Sequence, residues 1–241
     1  MNAPRPSEAS VAVVVPVLNE AENIAALIDD LGRHDFSELV VVDGGSDDGT
    51  SEIVAAVKTA RLIRAQRGRG RQLNAGAAAV SADALLFLHA DTRLPGDALK
   101  QIRAVLQDDQ VLGGCFRLSF DAKHPLLAFY AWASAFDTVF TTFGDQGYFV
   151  RASTFRDLGG FPDWPFLEDV ELRRQIKRRG KFVKAHAAVT TSARRFRSEG
   201  ILRRQLLNAL ILCAFLAGVP AQRLARWYAP NAAAKILTGV R

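Results

Sequence analysis

A three-layer α/β/α fold with a mostly parallel central sheet, followed by a C-terminal helical segment, is predicted by this chain. Three observations carry the reading. Apolar runs of strand length at Val11–Val17, Leu39–Val42 and Ala84–Leu88 alternate with helix-like stretches. Their spacing leaves room for a crossover helix between strands, which implies parallel pairing with right-handed connections. The runs end in acids and flexible backbone, at Asn19-Glu20, at Asp43-Gly44-Gly45 and at His89-Ala90-Asp91. In open α/β sheets that carboxyl edge is where ligands bind.

In chain order, residues 1–10, with Pro4, Pro6 and Ser7, read as a disordered lead. Val11–Val17 is a strand and Glu20–Leu31 a helix, with Asn19 as N-cap and Glu22 completing a box-like pattern. Leu39–Val42 is a strand, Thr50–Lys58 a helix, which Thr50 would cap if the loop before it is an ordinary strand–helix turn, and Arg61–Ala65 a short strand. The Ala-rich Gln72–Val80 reads as a helix, Ala84–Leu88 as a strand, and Pro95–Gln107 as a helix with Pro95 near its first position. After residue 110 the regularity is lost. Val111–Phe120 is a strand in which Gly113-Gly114 suggests a bulge. Leu126–Phe143 is expected to be an aromatic-rich helix. Gly147–Arg151 is a strand, Ser153–Leu158 a short helix, and Val170–Arg179 a helix closed by Gly180. Phe182–His186 is a strand, and Arg203–Val219 a strongly apolar helix. The organisation expected is therefore a lead over 1–10, one domain over 11–197 (halves 11–110 and 111–197), and a helical appendage over 198–241.

Bulk properties narrow the class. Hydrophobic content of 49% supports a substantial core, and a net charge of +6 suits an anionic partner or simply a solvated basic surface. Cys115 and Cys213 lie far apart in apolar contexts, which excludes a disulfide framework and reads as buried thiols in a reducing cytoplasm. The lead lacks an apolar signal region, and no run reaches the roughly 18 residues of a membrane span. The expected location is the cytoplasm, with the inner face of the cell membrane as the alternative.

Chemistry-bearing residues gather at the strand ends. Asn19 and Glu20 suit either a ligand edge or a plain helix start. Asp43 ends an apolar strand before Gly44–Thr50, a loop whose backbone can approach a ligand closely, and its carboxylate can hydrogen-bond a ribose or a base. Arg67-Gly68-Arg69-Gly70-Arg71 opens a helix and precedes Asn74-Ala75-Gly76. Fixed cations at a helix N-terminus suit a diphosphate, although a basic surface turn has the same composition. Asp91 is the metal-ligand candidate, since a hard divalent cation takes carboxylate and phosphate oxygens, whereas His89 reads first as a structural histidine. Glu168-Asp169 opens a helix, where either acid can serve as a general base or only as a cap. Arg194-Arg195 after Thr190-Thr191-Ser192 is a phosphate contact or a basic turn.

Assembled, these residues resemble glycosyltransferase family 2. The matching features are Val15-Pro16-Val17-Leu18-Asn19-Glu20, Val41 to Thr50, Asn74-Ala75-Gly76, His89-Ala90-Asp91, Gly159-Gly160-Phe161 and Glu168-Asp169, in family order over roughly residues 11–197. The resemblance implies a GT-A, Rossmann-like fold and inverting transfer of a sugar from a nucleoside diphosphate sugar, most simply a UDP-sugar, to a hydroxyl acceptor. It implies a nucleotide-binding half over 11–110 and an acceptor half over 111–197. Pro16, Asn19, Glu20, Asp43, Arg67, Arg69, Arg71 and Asn74 would contact the nucleotide. Asp91 would hold Mn2+ or Mg2+ on the diphosphate. Asp169 would be the catalytic base, with Glu168 beside it.

The chain departs from the family pattern at His89, where the motif has an acid, and it lacks the Gln-x-x-Arg-Trp element of processive synthases. Its length, the His-Ala-Asp variant, Gly144-Asp145-Gln146-Gly147 and Pro165 to Leu172 also resemble a small bacterial subfamily associated with arsenosugar biosynthesis. The implied partners are a nucleotide-sugar donor and a small-molecule or lipid-linked acceptor, without nucleic acid. Asp145, Gln146, Arg194 and Arg195 are the acceptor-side candidates. Phe129-Tyr130-Ala131-Trp132 with Phe136, Phe140 and Phe143 read first as a buried aromatic helix and second as sugar platforms. The helix after Arg203-Arg204 is expected to dock on the domain like a buried helix, with peripheral membrane contact or a homodimer as alternatives. Two competing functions remain: a nucleotidylyltransferase, which lacks here its usual Gly-rich loop and Lys after the first strand, and a non-catalytic nucleotide-sugar-binding protein.

Overall fold

The computed structural model describes residues 9–194 and 200–228. Eight strands form one sheet in the order β3-β2-β1-β4-β7-β6-β8-β5. They are β1 (Val11–Val17), β2 (Glu38–Asp43), β3 (Arg61–Arg64), β4 (Ala84–Phe87), β5 (Thr92–Arg93), β6 (Val111–Phe120), β7 (Tyr148–Arg151) and β8 (Lys181–Thr191). The helices are α1 (Ala21–Leu31), α2 (Thr50–Ala55), α3 (Arg69–Ala78), α4 (Ala98–Val105), α5 (Pro125–Ala133), α6 (Ala152–Asp157), α7 (Glu168–Arg179), α8 (Ile201–Leu216) and α9 (Ala221–Tyr228).

β1, β2, β3 and β4 pair in parallel. Because both faces of such strands are covered, their sequences are apolar at nearly every position. Alternation along β1 then feeds two layers. Val11, Val13, Val15 and Val17 meet Ile24 and Leu27 of α1 and Ile102 of α4. Ala12 and Val14 join Leu73 of α3, Phe155 of α6 and Leu172 of α7. The chain runs outward from β1 through β2 to β3, then returns to pair β4 on the other side of β1. The carboxyl ends of β1 and β4 thus flank a switch point, where a crevice opens. Beyond β4 the sheet turns mixed: β7 runs antiparallel to β4 and β6, and β6 pairs β8 in parallel with register shifts at Val111/Gly113 and Cys115/Arg117. The first shift is the bulge that Gly113-Gly114 predicts.

One glycine fixes how closely α3 approaches the sheet. A Cβ at Gly76 would stand 2.3 Å from Val14 Cγ1 and 2.8 Å from Val42 Cγ2. Gly76→Ala is therefore expected to destabilise the fold by about 1–3 kcal/mol despite alanine's better helix propensity. The corresponding fall in Tm, about 2–4 °C per kcal/mol for a chain of this size, is read by calorimetry. An unchanged Tm would contradict the packing described.

Several expectations are corrected. Asn19 does not cap α1; the cap position is Glu20, and the first amides of the helix are satisfied from the neighbouring loop. Ser46 Oγ accepts from Asn19 N, Thr50 Oγ1 from Glu20 N, and Asp48 Oδ2 from Ala21 N, at 2.9–3.0 Å. The expected helix over 126–143 ends at Ala133, because the buried Ser134 hydroxyl donates back to Ala131 O and accepts from Leu118 N of β6. α5 is not a buried aromatic helix: Phe129 and Trp132 are 64% and 61% exposed, and Phe136 and Phe140 are exposed beyond it. α8 buries only one stripe, Arg204, Leu207, Ile211 and Leu212, against Phe166, Leu167 and Val170. Its opposite stripe, Leu202, Leu206 and Leu210, faces out, and Cys213 is exposed with it rather than buried. α4 starts at Ala98, after a turn in which Pro95 O accepts from Ala98 N. Residues 1–8 of the expected lead lie outside the described residues, while Ser10 is tied to Asp83 by three hydrogen bonds.

Candidate active site

At the switch point lies a cavity of about 530 Å³. The end of β1 contributes Pro16 and Glu20, the start of α3 contributes Arg67 and Arg69, and the end of β4 contributes His89 and Asp91. The turn after Phe143 brings Asp145, α7 brings Asp169, and α8 closes one wall with Asn208, Ile211 and Leu212. Residues more than 150 positions apart are thereby gathered around one volume.

Two loops are tied together beside it, although Asn19 and Asp43 themselves do not line the cavity. Asp43 is 2% exposed and ends β2. It accepts from Ser46 N at 3.0 Å, from Ser46 Oγ at 2.5 Å and from Ser51 Oγ at 2.7 Å. Burial works to raise its pKa, but the hydrogen bonds from Ser46 and Ser51 outweigh it and hold the carboxyl below its ordinary range. Asn19, with φ of 57°, accepts from Asp47 N and so ties the first loop to the second. Gln72 went unremarked in the sequence. Buried at the first turn of α3, it donates to Val17 O and Val42 O at 2.8 Å each. Its amide clamps the ends of β1 and β2, and a lone Gln in an Ala-rich helix gives no sequence signal of that.

On the opposite side α7 begins in a strained backbone. Leu167, just before it, has φ of 64°, and Asn19 and Leu167 are the non-glycine residues with positive φ among the described residues. Such conformations cost on the order of 1–3 kcal/mol and concentrate at functional sites. Glu168 and Asp169, which follow Leu167, have different partners. Glu168, 1% exposed, is ion-paired with Arg69 Nε, with its second oxygen unpartnered. Asp169 accepts from Gly144 N and lies 3.6 Å from Arg69 NH2. Gly144 allows this approach, since a Cβ there would stand 3.1 Å from Asp169 Oδ2.

Asp145 is the electrostatic outlier. Its Oδ1 is buried without a hydrogen-bond partner. Burial first, then the negative charge of Asp169 and Asp91, pushes its carboxyl up to about 6. An acid whose folded pKa exceeds its unfolded value binds more protons when folded, so its stability contribution falls as pH rises from about 4 through 6. Above that window Asp145→Asn is expected to raise stability by on the order of 2 kcal/mol in metal-free, nucleotide-free protein, and near pH 4 to change it little. Denaturation midpoints at the two pH values test this; a variant less stable than wild type at pH 8 would contradict it.

The remaining sequence-derived residues have other positions. Arg71 makes a two-pronged contact with Asp163 at 2.6 and 2.7 Å and does not line the cavity. Asn74 exchanges two hydrogen bonds with the backbone of Phe161, locking α3 to the Gly159-Gly160 turn. Gln146 is buried, donating to Thr141 O and accepting from Lys184 and the Cys115 thiol, which burial pushes up to about 12. Arg194 lies 3.7 Å from Glu22 and 4.0 Å from Glu20 at the rim. Arg195 lies outside the described residues. Of the aromatic residues from Phe129 to Phe143, Tyr130 and Phe143 line the cavity.

Among the described residues no group of three or more His, Cys, Asp or Glu side chains is placed to hold a metal ion. The donor set at this cavity is sparse: the Asp91 carboxylate, with the unpartnered Asp145 oxygen on the same cavity. It fits a hard cation that takes one or two carboxylates and completes its shell with phosphate and water oxygens.

Comparison with known proteins is consistent with this arrangement. The model of "Glycosyl transferase family 2" matches residues 12–154. The glycosyltransferase AglJ of Haloferax volcanii is 31% identical over 114 residues, covering 46% of this chain and 38% of AglJ. An undecaprenyl-phosphate 4-deoxy-4-formamido-L-arabinose transferase of Yersinia pestis is 29% identical over 119 residues, covering 44% and 36%. The chain thus spans under two fifths of the length of these relatives. Among solved structures, the mannosyltransferase PcManGT of Pyrobaculum calidifontis, in complex with GDP-Man and Mn2+, superposes with a TM-score of 0.67 at 21% identity, covering 98% of this chain and 76% of that one. The glucosyl-3-phosphoglycerate synthase of Mycobacterium tuberculosis, in complex with Mn2+, UDP and glucosyl-3-phosphoglycerate, gives 0.62 at 20% identity, covering 90% and 82%. These likenesses bear out the GT-A, Rossmann-like architecture. By the match of its family model over more than half its length, the chain belongs to glycosyl transferase family 2.

Proposed function

We propose that this chain transfers a sugar from a nucleoside diphosphate sugar, most simply a UDP-sugar, to a hydroxyl acceptor with inversion and with assistance from a divalent metal ion. The observation that carries the reading is the convergence of Glu20, Arg69, Asp91, Asp145 and Asp169 on one cavity at the sheet's switch point. Residues 11–110 supply the nucleotide side and 111–197 the acceptor side, and the C-terminal appendage adds a wall through α8. Pro16, Asn19, Glu20 and Asp43 belong to the two loops that would cradle the nucleoside. Arg67 and Arg69 would donate to the diphosphate. Asp91 would hold Mn2+ or Mg2+, which supplies Lewis-acid neutralisation of charge on the departing diphosphate. Asp169, oriented by Gly144 N–H and the start of α7, takes the proton of the acceptor hydroxyl as that oxygen attacks the anomeric carbon. A single displacement then inverts the carbon. Glu168 holds Arg69 in place across the cavity.

The solved neighbours complexed with GDP-Man or with UDP and Mn2+ support a sugar-nucleotide donor and a divalent ion. For the acceptor, the relative named for an undecaprenyl phosphate supports a lipid-linked one, while the resemblance to the arsenosugar-associated subfamily supports a small molecule. Incubation with a panel of UDP- and GDP-sugars and Mn2+ tests the reaction class. Slow release of free nucleoside diphosphate from one donor is expected. Release of pyrophosphate would instead indicate a nucleotidylyltransferase, and binding without turnover a non-catalytic role.

A further inference from the structure

We infer that the exposed apolar faces of α5 and α8 form a docking surface for an anionic lipid membrane, beside the acceptor wall of the cavity. On α5 and the turn after it, Leu126, Phe129, Trp132, Phe136 and Phe140 are each 44% or more exposed. Their rings form a chain in the open: Phe129 and Trp132 have centroids 5.7 Å apart, and Trp132 and Phe136 5.2 Å. α8 lies against α5 and presents Leu202, Leu206 and Leu210, a stripe at helical spacing, each more than half exposed. A soluble surface rarely concentrates large apolar side chains in this way without a partner. Aromatic rings on such a face suit the boundary between headgroups and acyl chains.

Charge selects the occupant. From Gly200 to Arg241 the chain holds Arg203, Arg204, Arg223, Arg226, Lys235 and Arg241 and no Asp or Glu. Of these, Arg203, Arg223 and Arg226 are exposed, as is Lys123 just before α5. Asp137, the acid in the turn after α5, is committed to Arg173 and Lys177. A second copy of the chain docking through this face by two-fold symmetry would bring these cations against each other, with no Asp or Glu between Gly200 and Arg241 to offset them. Anionic headgroups compensate them, and acyl chains accept the rings and leucines. Among the described residues no helix is long and apolar enough to cross a membrane, so the contact is interfacial.

The helices that carry this face also wall the cavity. α5 contributes Tyr130 to its lining, and α8 contributes Asn208, Ile211 and Leu212 from the side opposite its exposed stripe. Docking would set the cavity beside the headgroup layer. The acceptor is then a hydroxyl or phosphate carried by a lipid, a consequence that rests on the glycosyl-transfer reading above.

The test uses the whole chain without nucleotide. Co-sedimentation is measured with phosphatidylcholine vesicles, with and without phosphatidylglycerol, at low and high salt. Binding to the phosphatidylglycerol vesicles, weakened by salt, is expected. The pair Phe129→Ser and Trp132→Ser, exposed positions whose change leaves the core intact, is expected to weaken it by about tenfold or more. Leu206→Ser with Leu210→Ser is the independent second variant, with the same expectation. Replacing Arg203, Arg223 and Arg226 by Gln is expected to cost about fivefold per cation at low salt. No binding by the wild type, or binding unmoved by both apolar variants, overturns the inference. So does a concentration-dependent dimer that these variants dissociate, which would give the face to a second copy. Because the vesicles carry no donor and the donor assay needs no vesicles, failure of either reading is seen separately.

Discussion

Asp169→Asn is expected to lower kcat by about 10²–10⁴-fold while leaving donor affinity close to that of the wild type, the range usual for removing a general base. The substitution isolates proton transfer from geometry. Asparagine Oδ1 can still accept from Gly144 N–H, so the turn after Phe143 keeps its anchor. Glu168 stays paired with Arg69, and Asp91 is untouched. What is lost is a carboxylate able to take the proton of an attacking hydroxyl. Single-turnover kinetics with the best donor, together with calorimetric titration of the nucleotide, separate the two quantities. Wild-type turnover in the variant would move the base elsewhere, with Asp145 the next carboxylate on the cavity.

Asp91→Ala is expected to abolish the strengthening of UDP binding by Mn2+ and to cut kcat by about 10²-fold or more, since the ion's charge stabilisation is worth several kcal/mol. The expectation is large because the site has so few alternative ligands. Among the described residues no group of three or more His, Cys, Asp or Glu side chains is placed to hold a metal ion, and a histidine, His89, rather than a second carboxylate stands two positions before Asp91. UDP titrations with and without Mn2+ compare the variant with the wild type. Equal Mn2+ enhancement in both would remove Asp91 from the metal site.

The parallel half of the sheet was legible in the sequence for a physical reason. β1, β2 and β4 are buried on both faces, so composition alone marks them, and their ends fall where acids and glycines interrupt the apolar runs. The region after residue 110 was harder. α5 and α8 are apolar around most of their circumference, which reads as burial, yet each turns one apolar face outward. Sequence hydrophobicity reports what a helix prefers and not which neighbours it has. The short β5 carries no periodicity in two residues, and β8 outruns its predicted end because it pairs with both β6 and β5. At the site, acids at strand and helix ends announced themselves. Gln72 did not, because its work is done through two carbonyls from strands 30 and 55 residues away. Arg71 and Asn74, residue types suited to a nucleotide, are bound here to Asp163 and to the Phe161 backbone, contacts that composition does not foretell.

Crystals of the chain grown with UDP and Mn2+, with anomalous data collected to locate manganese, give the most direct test. The expected result is one manganese within coordination distance of the Asp91 carboxylate, with the diphosphate between it and Arg69 and the uridine against the Asn19 and Asp43 loops. A nucleotide bound elsewhere on the surface, or manganese held by residues remote from Asp91 and Asp169, would contradict the convergence on which the mechanism is built.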